Sequence, residues 1–355
     1  MIPFSYVFKL FSLQVCTYLL KTSVCFKTIY DVIDKKIIGG KNFMKLSKWL
    51  DIWLNKYQKT VIKLRTFTFY QEIISRHINP ILGNYELDEL TGDILQDFVI
   101  SKLNNGNLIT NKPLADNTVI SIVSLLKQAI KKAHYMGISK NEHTSHIKIP
   151  RSKEKEVSAF EVEEQKKIEQ YCLNHYRNNY IGVVICLYTG IRLGELLALT
   201  WEDIDFDRNT LTINKTVSVI KVNGVNVSHV DKPKTKQSNR CIPLPKQLIS
   251  ILKKKKKQSK SKYVISTIDG NMVQSRCYQK SFKSILENCN ITYRNFHSLR
   301  HTFATRALEL GIDIKTLSEI LGHKNPMVTL NRYSHSLLGY KIDAMNRIGK
   351  MLEYK

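Results

Sequence analysis

At 355 residues the chain is long enough for two domains, each with its own core. Lysine and arginine outnumber the acids 55 to 30, a formal charge of +25 that points to a polyanionic partner, nucleic acid first, and to binding that weakens steeply with salt. Its seven cysteines contain no C-x-x-C pair, which argues against a disulfide scaffold and for reduced, packed thiols in the cytoplasm, and no apolar run is long and unbroken enough to cross a membrane.

Residues 1–43 are an N-terminal extension of uncertain role. Its apolar stretch IPFSYVFKLFSLQVCTYLL is interrupted by Lys9, and no clear small-residue cleavage site follows. Met44 as the natural start is a second reading. From Lys45 the period becomes helical, with Leu46, Trp49, Leu50, Trp53, Leu54 and Tyr57 recurring at steps of three and four as one core-facing stripe. A second helix is expected over roughly 63–77, ahead of Pro80. A third runs to Leu103, capped by Thr91 with Asp93 in its first turn. A fourth begins near Asp116 or Asn117 and stops at Gly137, with Lys127, Lys131 and Lys132 on its polar side. Residues 44–145 thus form a helical domain. The linker is 146–157, where Pro150 blocks a continuing helix and the charges favour solvent.

The second domain is expected over 158–338, opening on a staple of Val157 and Val162 around a Ser158 and Glu161 capping box. An apolar helix from Ile181 to Tyr188 stops at Gly190; Arg192 opens the next, and Glu195 in its first turn suits the helix dipole. Between Thr210 and Leu244 the period changes to two, with two strands joined at Asn223-Gly224 and a third from Arg240 to Leu244. The loop between Val230 and Arg240, carrying Lys234 and Lys236, reads as a mobile hairpin tip. The run of five lysines from Lys253 to Lys257 reads as a solvated helix end, with phosphate contact as the alternative. The fold class is therefore mainly α with a small antiparallel β-sheet.

From His297 to Tyr333 the chemistry concentrates. Positions three apart share a helix face, so His297 and Arg300 are expected side by side, with His301 and Arg306 pointing elsewhere. His297 and His301 have zinc-ligand spacing, but Ser298 stands where that motif needs a glutamate. Gly311 ends this helix and Gly322 the next, which sets His323 at the exposed mouth of the following turn, ten residues before Tyr333. After Tyr333 a tail, 339–355, carries Ile342, Met345, Ile348 and Leu352 on one side.

With these motifs in order, the chain resembles the tyrosine recombinase (phage integrase) family over residues from about 158 to 338. Arg192 stands in its T-G-x-R-x-x-E signature, Lys234 in P-K-T-K, His297 and Arg300 in H-x-L-R-H-T, His323 in L-G-H, and Tyr333 in R-Y-S-H. One such motif is weak evidence; six in order are specific. The resemblance implies a helical core-binding domain that closes with the catalytic domain around duplex DNA. It implies a homotetramer on two recombination sites, accessory DNA-bending or excision factors, and a tail that docks on a neighbouring subunit, against which packing on its own domain stays open. Residues 1–43 do not show the arm-binding module that such integrases often carry.

The residue types suit phosphoryl transfer. Planar guanidiniums of Arg192 and Arg300 can clamp the non-bridging oxygens of a phosphodiester. His297 and His323 can donate hydrogen bonds or take the tyrosine proton. Tyr333 is the expected nucleophile, forming a covalent phosphotyrosine, and Lys234, with Lys236 as its rival, is the expected acid for the leaving oxygen. In the resembled family neither metal nor nucleotide cofactor is required, because the phosphotyrosine conserves the bond energy. Two other functions compete: a type IB topoisomerase, which shares the covalent step but relaxes DNA, and a catalytically inactive DNA-binding regulator. The separate helical domain and the P-K-T-K hairpin favour the recombinase over the first, and six intact positions over the second.

Overall fold

A computed structural model describes residues 44–149, 159–175, 179–222, 225–231, 239–323, 325–333 and 338–352. Residues 1–43, Ser158, the Asn223-Gly224 turn, Lys234 and Lys236 lie outside them. The chain divides into two compact units between residues 153 and 154. No helix among the described residues is long and apolar enough to cross a membrane.

In the first unit the predicted stripe is buried. Helix α1 (Leu46–Ile52) runs on as a π-helical segment, Trp53–Gln58, and Leu46, Trp49, Leu50, Trp53 and Leu54 are all buried. The Trp49 indole N–H donates to Ala129 O at 2.8 Å, so the core satisfies its polar handle. Helix α2 (Leu64–Ile73) passes through a second π turn, Ile74–Ile78, into α3 (Asn79–Leu82), with Pro80 in the first turn of α3. Helix α4 (Gly92–Asn105) starts where Thr91 accepts from the Ile94 N–H at 3.4 Å. Helix α5 (Asp116–Tyr135) begins from Ala115, not from a side-chain cap at Asp116 or Asn117; Asp116 instead lies inside the first turn, where its charge meets the positive helix end.

In the second unit α6 (Val162–Asn174) is capped three residues later than the expected cap at Ser158, which lies outside the described residues. Its cap is Glu161, whose N–H donates to Glu164 Oε2 at 2.8 Å. Glu164 thus supplies the carboxylate of a capping box built on Glu161 itself. Helix α7 (Ile181–Thr189) is buried along nearly its whole length and ends at Gly190 in the left-handed region, φ +63°. A Cβ there would lie 2.5 Å from Phe303 Cδ1, so glycine is required twice over. Helix α8 (Leu193–Ala198) follows directly.

The strands depart from the expected continuous hairpin. Strands β1 (Ile204–Asp205), β2 (Thr210–Ile213) and β5 (Arg240–Pro243) form one antiparallel sheet in the order β1-β2-β5, while β3 (Thr216–Val222) and β4 (Val225–Asp231) form a separate two-stranded sheet among the described residues. The period-two run is interrupted at Asn214 and Lys215, and β2 aligns Leu211 with Ile242 of β5 instead of continuing into the hairpin. Strands β4 and β5, which flank the lysine-bearing residues, belong to different sheets, so the expected pairing of the two strands on either side of those residues is not formed among the described residues. Five helices complete the unit with α9 (Lys246–Gln258) ahead of them: α10 (Ser275–Asn288), α11 (His297–Glu309), α12 (Ile314–Leu321), α13 (Pro326–Tyr333) and α14 (Leu338–Leu352). Ile342, Met345, Ile348 and Leu352 of α14 remain exposed.

Candidate active site

The turn at Gly190 places Arg192 in extended backbone at the mouth of α8. Glu195 reaches back to it: the Arg192 N–H donates to Glu195 Oε2 at 2.9 Å and Nη1 to Oε1 at 2.8 Å. Arg192 Nη2 donates to Gly322 O at 3.3 Å, and 38% of the side chain stays exposed.

Arg300 enters from α11 and is buried. Its Nη1 donates to Gly190 O at 2.9 Å, and its Nη2 to Leu321 O at 2.8 Å and to His323 Nε2 at 2.7 Å. A guanidinium has only N–H groups, so the histidine nitrogen facing it must carry the lone pair. The His323 proton then sits on Nδ1, which donates to Thr329 Oγ1 at 2.7 Å. His323 is half-buried, not at an exposed mouth. His297 and Arg300 both line one cavity of about 210 Å³, together with Ile191, Leu193, Gln279, Asn295 and Phe296, but His297 is exposed where Arg300 is not. His301 does not point away: its ring meets His297 edge to face at 4.6 Å between centroids, because positions four apart also share a helix face. Arg306 does face elsewhere, donating to Phe160 O at 2.8 Å.

The C-terminus of α12 explains the convergence. Its last carbonyls have no partner within the helix. The His323 and Gly322 N–H groups close back onto Ser318 O and Glu319 O, each at 3.0 Å, as glycine at φ +65° permits. The next three carbonyls go to three arginines from different elements: Ile320 O to Arg240 Nε at 2.6 Å, Leu321 O to Arg300, and Gly322 O to Arg192. Cations also complement the negative end of the helix dipole.

Arg240 and Glu195 are the residues that sequence reasoning undervalued. In the sequence Arg240 marks only the start of a strand, yet in the structure its fork also donates to Glu195, Nη2 to Oε2 at 2.8 Å and Nη1 to Oε1 at 3.2 Å. A signal existed: Arg240 and Ile242 share the buried face of β5 while Cys241 is exposed, and a charge on a buried strand face demands a partner. Burial pushes the Glu195 carboxyl up, but the bond and charge of Arg240, then the charge of Arg192, outweigh it and hold the group at about 2. Tyr333 closes α13, and its side chain lies outside the described part of the structure, as does the whole of Lys234 and of Lys236.

Solved integrases share this fold. The Tn1549 transposon integrase in complex with a circular intermediate DNA matches at a TM-score of 0.72 and 19% identity, covering 86% of this chain and 99% of that one. A lambda integrase tetramer bound to a Holliday junction matches at 0.61 and 21% identity, covering 82% and 81%. In sequence the chain is 29% identical to a tyrosine recombinase XerC-like protein of Caldanaerobacter subterraneus subsp. tengcongensis, over 86% of this chain and 83% of that one. It is also 29% identical to the integrase of Staphylococcus phage L54a, over 81% and 87%. Fold and relatives together define a site-specific tyrosine recombinase, an enzyme that breaks and rejoins DNA strands. The chain belongs to the phage integrase family, whose model matches residues 153–338; residues 45–103 match the phage integrase N-terminal SAM-like domain.

Proposed function

We propose that the chain integrates and excises a mobile element through a 3′-phosphotyrosine on Tyr333. The observation that carries this is the meeting of Arg192 and Arg300 on successive carbonyls beside His323, with Arg300 also lining a cavity together with His297. A scissile phosphate beside Arg300 is clamped by the two guanidiniums, each contributing a few kcal/mol to stabilising the transition state. The phenol proton goes to His297 or to the lone pair on His323 Nε2, and His297, where it does not take that proton, donates to the phosphate. The Tyr333 oxygen bonds to phosphorus as the bond to the 5′ oxygen breaks, and Lys234, or Lys236 in its place, protonates that oxygen. A 5′ hydroxyl from the partner strand reverses the step, so phosphodiester bonds are conserved and no nucleotide cofactor or metal is consumed. The helical residues 44–145 grip the core site, 146–157 link them to catalytic residues 158–338, and 339–355 dock on the next subunit. The working form is a homotetramer on two duplex sites in the bacterial cytoplasm, aided by accessory DNA-bending or excision factors.

Two measurements test this. A duplex nicked near the crossover should trap a protein-DNA adduct; firm binding without one supports an inactive regulator. Two labelled sites should then yield recombinant joints; relaxation of supercoiled DNA without joints supports a type IB topoisomerase.

A further inference from the structure

We infer that Arg240 is a positioning residue for the phosphate clamp: it shares the Glu195 carboxylate with Arg192 and anchors the helix end that carries His323. This rests on the reading of Arg192 as a phosphate ligand. Glu195 and Arg240 side chains are both only 6% exposed, so their pairing is shielded from water and salt, whereas Arg192 is 38% exposed. The two arginines approach the same carboxylate, Arg192 Nη1 at Oε1 and Arg240 across both oxygens. While Arg240 holds the fork, Glu195 keeps one side-chain N–H group of Arg192, and Arg192 Nη2 stays with Gly322 O. Without Arg240, Arg192 is the cation among the described residues that is left to neutralise the carboxylate. A bidentate grip on that guanidinium is then the favoured geometry, and it turns the clamp away from the phosphate.

The second contact works on His323. Arg240 Nε donates to Ile320 O, one residue before the carbonyl held by Arg300 and two before the one held by Arg192. The passage is close at Gly322: a Cβ there would sit 3.0 Å from Arg240 Nη1, so the side chain would have to give way. Strand β5, which follows the lysine-bearing segment, is thereby tied directly to both sides of the candidate active site.

The test is the first-order rate of adduct formation on a nicked suicide duplex at saturating DNA, measured beside the dissociation constant for the same duplex. Arg240→Met should slow the adduct by about 10- to 100-fold, the scale of a small misplacement of a catalytic group, with the dissociation constant moving less than about threefold. Arg240→Lys keeps the charge but cannot serve Glu195 and Ile320 O together, so it should fall between. Adding Glu195→Gln to Arg240→Met should recover part of the rate, because the neutral amide no longer competes for Arg192. Arg306→Met, which removes a different arginine-to-carbonyl link in the same unit, is the control for lost stability and should retain the rate. If Arg240→Met does not fold, Arg240→Lys decides alone. A wild-type rate from whichever Arg240 variant folds, or a rate loss that Arg306→Met reproduces at equal melting temperature, overturns the proposal. A wild-type chain that forms no adduct overturns the functional reading, and this proposal with it.

Discussion

Arg300 Nη2 and His323 Nε2 lie 2.7 Å apart, and because only one of them can donate, the contact fixes the histidine as the tautomer protonated on Nδ1. The same guanidinium holds Gly190 O and Leu321 O, so one side chain joins the end of α7, the end of α12 and the histidine.

Arg300→Lys tests that junction. An ammonium cannot span three acceptors that a planar fork reaches at once. The substitution should lower unfolding free energy by about 2–4 kcal/mol, from buried groups left unpaired. It should also slow adduct formation by about 100-fold or more. Chemical denaturation and the adduct assay read the two effects separately.

Glu195 gives the site an acid limit. Its carboxyl is held at about 2 against an ordinary value of 4.5, so the stabilisation is present above 4.5 and is lost as pH falls toward 2. The shift corresponds to about 3 kcal/mol. The difference in unfolding free energy between the wild type and Glu195→Gln, followed by urea denaturation from pH 6 down, should shrink by about that amount across this window and stay flat above it.

Gly190 separates conformation from packing. Gly190→Ala must hold φ +63° and push against Phe303 Cδ1 and Leu321 Cδ2, whereas Gly311→Ala must hold φ +83° with nothing within 4 Å. The left-handed conformation costs about 1–2 kcal/mol, and overpacking adds about 1–3 kcal/mol. Gly190→Ala should therefore melt well below Gly311→Ala, and equal melting temperatures would contradict the crowding.

What the sequence made legible was local. Helix stripes, the stops at Gly190, Gly311 and Gly322, and the strands around Asn223-Gly224 all depend on neighbours a few residues apart, and the structure contains these elements. The helix starts at Ala115 and Glu161 were displaced because several nearby residues can cap, and backbone direction chooses among them. The partnership of β2 with β5 skips over the β3–β4 pair, and periodicity says which face a strand buries, not which strand it meets. Arg240 meets Glu195 across 45 positions and Ile320 across 80, distances at which no spacing rule operates. The motif residues Arg192, Arg300 and His323 were named from their order along the chain; their common attachment to one helix end came only from the folded backbone.

The most direct test is to trap the wild-type chain on a nicked duplex, digest the adduct, and map the DNA-bearing peptide by mass spectrometry, with Tyr333→Phe alongside. The account predicts DNA on Tyr333 through a 3′ phosphate, and a Tyr333→Phe chain that binds the duplex with unchanged affinity but forms no adduct. An adduct on another residue, or one that survives in Tyr333→Phe, would contradict it.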